Sequence, residues 1–202
     1  MSKLNATRGF GLLERFLATQ RSKIANRLIP STHRKGSILD IGCGAFPLFL
    51  PNTTFSKKYG LDKIIQENYD KKFQEQEITF INYDIEREKK IPFDSYYFDV
   101  VTMLAVIEHI QPKRTVKILR EIHRILKTSG ICIITTPTVH TGFLLKLMAK
   151  LRLVSPVEIE EHKCAYNSSR IISILQETNF SRDKLQVGYF EMFMNIWATA
   201  IK

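Results

Sequence analysis

A chain of 202 residues, 44% hydrophobic and 25% charged, has the size and balance of one packed domain, which excludes a disordered or low-complexity polypeptide. No apolar run reaches the ~18–20 residues of a bilayer span, the opening MSKLNATRGF lacks the apolar core of a secretory leader, and Cys43, Cys132 and Cys164 have neither disulfide-framework nor zinc-site spacing. A reduced, cytoplasmic setting without a metal site is therefore expected. The net charge of +10 would suit nucleic acid, anionic lipid or an acidic substrate, yet the basic residues are spread along the chain, as on a solvated surface.

Taken in chain order, the spacing of Phe10, Leu13, Phe16, Leu17, Ile24 and Leu28 predicts a helix over 8–29, stopped by Pro30 and followed by a polar link, 31–36. Residues 1–36 thus read as an N-terminal helical cap on an α/β domain, 37–202. Short apolar strands are expected at 37–41, 58–62, 78–84 and 97–104, the first running into a glycine-rich turn and the next two ending in an acid. A helix over 115–126 buries Val116, Leu119, Ile122, Ile125 and Leu126, with Gly130 suited to its C-terminal end, and a fifth strand over 131–136 is broken by Pro137. After a less regular stretch come a helix over 168–178, capped by Asn167 or Ser168, and two strand-like runs near 184–191 and 193–201 that can pair as a hairpin. Strands alternating with helices imply a doubly wound, mostly parallel seven-stranded sheet with a C-terminal antiparallel hairpin.

Sheets of this kind bind ligands beyond the carboxyl ends of their strands, where Asp40, Gly42, Gly44, Asp62, Asp84 and Leu104 should gather. A dinucleotide site wants Gly-x-Gly-x-x-Gly, but here Pro47 stands where the third glycine should be, and proline offers no N–H to a phosphate. Asp40 would repel pyrophosphate and attract a ligand bearing an ammonium and a sulfonium. Asp62 stands near the ~20-residue offset of an acid that binds ribose hydroxyls, and Asp84 could accept from an adenine amino group.

These residues carry a resemblance. Residues 38–44, Ile-Leu-Asp-Ile-Gly-Cys-Gly, are similar to motif I of the class I S-adenosylmethionine-dependent methyltransferases. Residues 98–101 through 106–110 resemble their fourth-strand block, and 119–130 the helix and turn before their fifth strand; together the match spans roughly 37–137. The resemblance implies a Rossmann-like fold and S-adenosylmethionine as cofactor. By it, Gly42 and Gly44 face the methionine part, Asp62 the ribose, Asp84 with Ile85 the adenine, and Leu104 and Ala105 the methionine and the reacting methyl. Asp40, Cys43 and Lys63 complete the expected cofactor-binding set. The chain departs from the family at Phe46, where many members carry a third glycine. Residues 161–166 and the later Asn179-Phe180 resemble a segment of small-molecule and lipid-precursor methyltransferases.

Methyl transfer to oxygen also needs a proton acceptor, for which histidine is suited. His162 and His140 are the catalytic candidates; either could instead be a loop histidine bonded to backbone or water. Tyr166 and His109 are the pocket candidates, Tyr166 with packing as its alternative. Glu108 and His109 are adjacent and do not share a helix face, so they read as structural rather than as a metal pair. The apolar and cationic run 142–153 suits either a membrane- or lipid-facing lid or a helix packed on the sheet. The leading expectation is an enzyme acting on a small-molecule acceptor such as a sugar, a quinone-like compound or a lipid-linked molecule. The alternatives are an RNA or protein methyltransferase, prompted by the charge although no base-handling motif is present, and a catalytically silent partner protein. Peripheral membrane contact is compatible with the sequence, nucleic acid is disfavoured, and the oligomeric state is not legible.

Overall fold

The computed structural model describes residues 14–44, 47–64, 76–141 and 163–202. Its elements are α1 (Glu14–Leu28), β1 (Ser37–Ile41), β2 (Lys57–Asp62), β3 (Ile78–Asn82), β4 (Phe98–Leu104), α2 (Pro112–Ile125), β5 (Leu126–Pro137), α3 (Ser168–Gln176), β6 (Leu185–Phe190) and β7 (Asn195–Ile201). The seven strands form one sheet in the order β3-β2-β1-β4-β5-β7-β6. Only β7 runs against the rest: it is antiparallel to both β5 and β6, and the pairs from β3 to β5 are parallel. The expected doubly wound sheet with its C-terminal hairpin is borne out.

β1 is buried at all five positions because it lies mid-sheet with both faces covered. Leu39 and Ile41 face one apolar cluster with Val101, Met103, Cys132, Ile134 and the inner sides of α2 and α3. Ile38 faces the other, with Val100, Ile131, Ile133 and Ala25 and Ile29 from α1 and its end. Fully burying an Ile or Leu contributes about 1.5–3 kcal/mol, so these clusters fix how the helices seat.

α2 starts at Pro112, whose fixed φ suits the first helical position, three residues earlier than periodicity suggests. It buries Ile118 and Thr115 beside the expected Leu119, Ile122 and Ile125, and Val116 packs at its margin. Gly130 does not end it. The helix stops at Ile125, and Leu126 pairs with Phe98 as the start of β5. The chain then bulges through Ser129 (φ 65°) before Ile131 pairs with Val100. A side chain at Gly130 would lie 2.9 Å from the Lys127 carbonyl oxygen, so the glycine serves this bulge. The free carbonyls at the α2 terminus take Lys202 Nζ instead, which donates to the oxygens of His123, Arg124 and Leu126 at 2.7, 3.3 and 2.8 Å, a cation at the negative end of the helix. Asn167 is the cap of α3, its side chain accepting from Arg170 N at 2.8 Å. Among the described residues no helix is long and apolar enough to cross a membrane.

Candidate functional site

The carboxyl ends of β1, β2, β3 and β4 bring Asp40, Gly42, Cys43, Gly44, Asp62, Lys63, Asp84, Ile85, Leu104 and Ala105 to one end of the sheet. Asp40 sits in register with Thr102 on β4. It is only 4% exposed, and its Oδ1 accepts from Thr102 Oγ1 at 2.6 Å. Burial pushes its carboxyl up to about 7 against that hydrogen bond, with the charge of Asp62 pushing the same way.

Past Ile41 the chain turns through two glycines in the left-handed region, Gly42 at φ +72° and Gly44 at φ +73°. They are glycine for different reasons. A Cβ at Gly42 would lie 2.4 Å from Val106 Cγ2, so this position is closed by packing, and its N–H donates to the Leu61 carbonyl at 2.7 Å. Among the described residues nothing lies within 4 Å of a Cβ at Gly44, whose N–H is held by Asp62 Oδ2 at 2.9 Å. The backbone at Gly44 is therefore oriented, bare and approachable, as a ligand cradle requires. Between them, burial first and then the charges of Asp40 and Asp62 raise the Cys43 thiol well above its ordinary value, which keeps it un-nucleophilic.

Asp62 Oδ1 also accepts from Ile64 N at 3.1 Å, and Asp84 Oδ1 from Glu86 N at 3.0 Å. Both acids thus brace their own turns, and Asp84 Oδ2 also pairs with Arg87 at 3.4 Å. Lys63, Ile64, Asn82, Tyr83, Asp84, Arg87 and Glu88 line an open cleft of about 530 Å³, a size ordinary for a small-ligand site. On the far side Ala105 follows Leu104 with φ +57°, its N–H donating to the Thr135 carbonyl at 2.9 Å. A buried acid, a bare glycine, two strand-end carboxylates and an adjoining cleft suit the cationic and diol groups of S-adenosylmethionine.

His109 closes the turn Ile107–His109, its N–H donating to the Val106 carbonyl. Tyr166 is fully buried, with its hydroxyl donating to the Ile107 carbonyl at 3.3 Å, so its ring packs in the core. His140 lies in the turn Val139–Thr141 just past β5. His162 and the run 142–153 fall outside the described residues. The residue after His162 is anchored: Lys163 N donates to the Glu108 carbonyl at 2.8 Å, and Lys163 Nζ pairs with Glu86 at 2.8 Å. Glu86 also accepts from Gln111 N. Burial pulls its carboxyl upward, but Lys163 and Gln111 outweigh this and hold it below the ordinary range.

Sequence reasoning missed Thr102, Glu86 and Lys163. Thr102, a lone hydroxyl in an apolar strand, was a usable signal. Glu86 and Lys163 stand 77 positions apart and carried none.

A family model for a methyltransferase domain matches residues 13–185, and the chain belongs to that family. The sequence-based assignment to the S-adenosylmethionine-dependent methyltransferases is borne out. Among solved structures, the fold is similar to a SAM-dependent methyltransferase from Archaeoglobus fulgidus, at 18% identity and a TM-score of 0.68, covering 94% of this chain and 97% of that one. It is similar also to a Thermotoga maritima protein described as a possible histamine N-methyltransferase, at 18% identity and a TM-score of 0.68, covering 95% and 91%. A third similar structure is phosphoethanolamine N-methyltransferase 2 of Haemonchus contortus in complex with S-adenosyl-L-methionine, at 17% identity and a TM-score of 0.64, covering 91% of this chain and 52% of that one. No curated protein matches the chain by sequence.

Proposed function

We propose that this methyltransferase acts on a small-molecule acceptor and holds S-adenosylmethionine along the carboxyl ends of β1 to β4. The observation that carries the reading is the pair of glycine turns, where Gly42 is sealed by Val106 while Gly44 is bare and aimed by Asp62. In this reading Asp40 and Gly44 receive the methionine part, Asp62 the ribose and Asp84 with Ile85 the adenine, and Lys63 flanks the cleft. Leu104 and Ala105 border the reacting end.

The cofactor supplies an already activated methyl group when bound. The protein contributes position: a rigid, hydrogen-bonded loop orders the ligand in advance, and positioning supplies much of the rate of an in-line displacement. Asp40, buried beside Thr102, has its proton retained by burial, and a cation brought next to it would favour the charged form and be attracted to it. The proton of an acceptor hydroxyl or ammonium would pass to His162 or His140. His162 directly precedes the anchored Lys163, and His140 lies between Val139 and Thr141, whose backbone N–H groups donate to the Tyr166 and Thr138 carbonyls.

The small-molecule reading is supported by two neighbours of similar fold whose names specify small amine acceptors. The experiment is calorimetric titration with S-adenosylmethionine, S-adenosylhomocysteine and NAD, followed by mass-spectrometric detection of methyl transfer to panels of small amines, sugars and phenols and to bulk RNA. Binding of the first two ligands with transfer to a small molecule is expected. Transfer to RNA alone would overturn the acceptor class, and absence of binding would favour a catalytically silent partner. His162→Ala is expected to spare cofactor binding and to lower kcat by about 10²-fold or more; an unchanged kcat passes the role to His140.

A further inference from the structure

The β6–β7 hairpin closes through residues 191–194, with Met194 N donating to the Glu191 carbonyl at 3.0 Å. Three successive residues there, Glu191, Met192 and Phe193, have φ of 51°, 54° and 66°. Hairpin turns with this left-handed backbone select Asn, Asp and Gly, because a Cβ is disfavoured there. This one places Met and Phe at its centre. Burial offers them no compensation, since Met192 is 89% and Phe193 73% exposed. Backbone preference and solvent both oppose these residues, and such conflicts between local and global demands collect at functional sites.

The turn is braced from below. Thr138 N and Thr141 Oγ1 donate to the Met194 carbonyl at 2.9 and 3.3 Å, Thr138 Oγ1 donates to the Phe193 carbonyl at 3.2 Å, and the Asn195 amide donates to Glu191. Its position follows from register. Asn195 pairs with Pro137 at the carboxyl end of β5, the end of the sheet that carries Gly42, Gly44 and Ala105. With β5 between β4 and β7, the tip stands two strand spacings, about 10 Å, from β4. Large apolar side chains exposed among the described residues are Phe16, Tyr96, Val139, Tyr189, Met192 and Phe193; Met192 and Phe193 are in the turn, Tyr189 is near the end of β6, and Val139 follows Thr138, which bonds to the turn. The Tyr189 and Phe193 rings lie 5.6 Å apart.

The charge indicates what covers this corner. The chain carries +10, and α1, whose Arg21 acts on the Glu191 carboxyl, bears Arg15, Arg21, Lys23 and Arg27. A second copy would meet like charge, and a few side chains at a hairpin tip fall short of the ~800 Å² per partner of a stable interface. An anionic lipid surface attracts the charge and accepts Met and Phe at its apolar boundary.

We propose that the 191–194 tip is a wedge that seats this protein on an anionic phospholipid surface. The wedge is independent of which acceptor the enzyme methylates.

The test is flotation of the full chain with vesicles of phosphatidylcholine, with and without phosphatidylserine, at low and high salt. Binding to the phosphatidylserine vesicles, reversed by salt, is expected. The informative variant is Met192→Asn with Phe193→Gly, which gives the turn residues its backbone favours. It is expected to raise Tm, to bind S-adenosylmethionine as the parent does, and to lose vesicle affinity by about tenfold or more. Failure of the parent chain to bind phosphatidylserine vesicles would overturn the wedge. So would equal vesicle binding by the variant, a lower Tm in the variant, or a dimer that the variant abolishes.

Discussion

The turn after β1 and the turn after β6 leave the same end of the sheet through left-handed backbone, built from opposite residues. After β1 the chain uses Gly42 and Gly44, so residue type and conformation agree. After β6 it uses Glu191, Met192 and Phe193, and the conformation is imposed by hydrogen bonds from Thr138 and Thr141. Ala105 stands between them, a side-chain-bearing residue at φ +57° held by Thr135. The glycine turn keeps space clear at a buried, charged site, and the hairpin turn projects apolar groups into solvent. A left-handed turn made of glycine has no preference to overcome, and one made of Met and Phe must be held by its neighbours.

The largest effect expected on the site side belongs to Asp40. Its carboxyl is pushed from the ordinary 3.8 up to about 7, by burial first and also by Asp62. Between those values the folded chain keeps a proton that the unfolded chain has released, so stability falls as pH rises through the window, by up to about 4 kcal/mol above pH 7. Asp40→Asn keeps an acceptor for Thr102 and removes the titration. Its Tm should decline less than the parent's between about pH 4 and 8, while calorimetry shows weaker S-adenosylmethionine binding. Parallel Tm profiles would break the contrast between a costly buried site and an exposed tip.

The two glycines should then separate. Gly42→Ala combines left-handed strain with a clash against Val106 and is expected to cost ~2–4 kcal/mol in urea denaturation. Gly44→Ala meets none of the described residues and should cost only ~1–2 kcal/mol, yet lose cofactor affinity because its methyl fills the space kept clear there. Equal losses of stability would mean that Gly44 is not a cradle. The smallest effect is Ala105→Gly, where relief of the left-handed backbone is partly offset by a more flexible unfolded chain. A gain of up to about 1 kcal/mol, or ~2–4 °C in Tm, should follow; a loss would show that the Ala105 methyl packs.

Much of the molecule was legible beforehand, for local reasons. Short, mostly apolar runs announced β1 and β4 because strands covered on both faces need no strict alternation. Asn167 announced α3 because its side chain satisfies a free amide. The glycines and strand-end acids marked the candidate site. Other features depend on residues far apart. β7 lies inside β6 because its more buried side chains take the position between β5 and the edge. Gly130 was read as the end of a helix because nothing local shows that Leu126 pairs with Phe98.

By itself the sequence determined the alternation of strand and helix, the glycine turn and the acids at the strand ends, because periodicity and backbone freedom are properties of neighbouring residues. Only the tertiary structure decided that Thr102 meets Asp40, that Lys202 closes α2, that Glu86 ties down Lys163, and that Met and Phe are held at an exposed left-handed tip. Each of these depends on which distant groups are brought together and on how much water they exclude, and no local pattern encodes either.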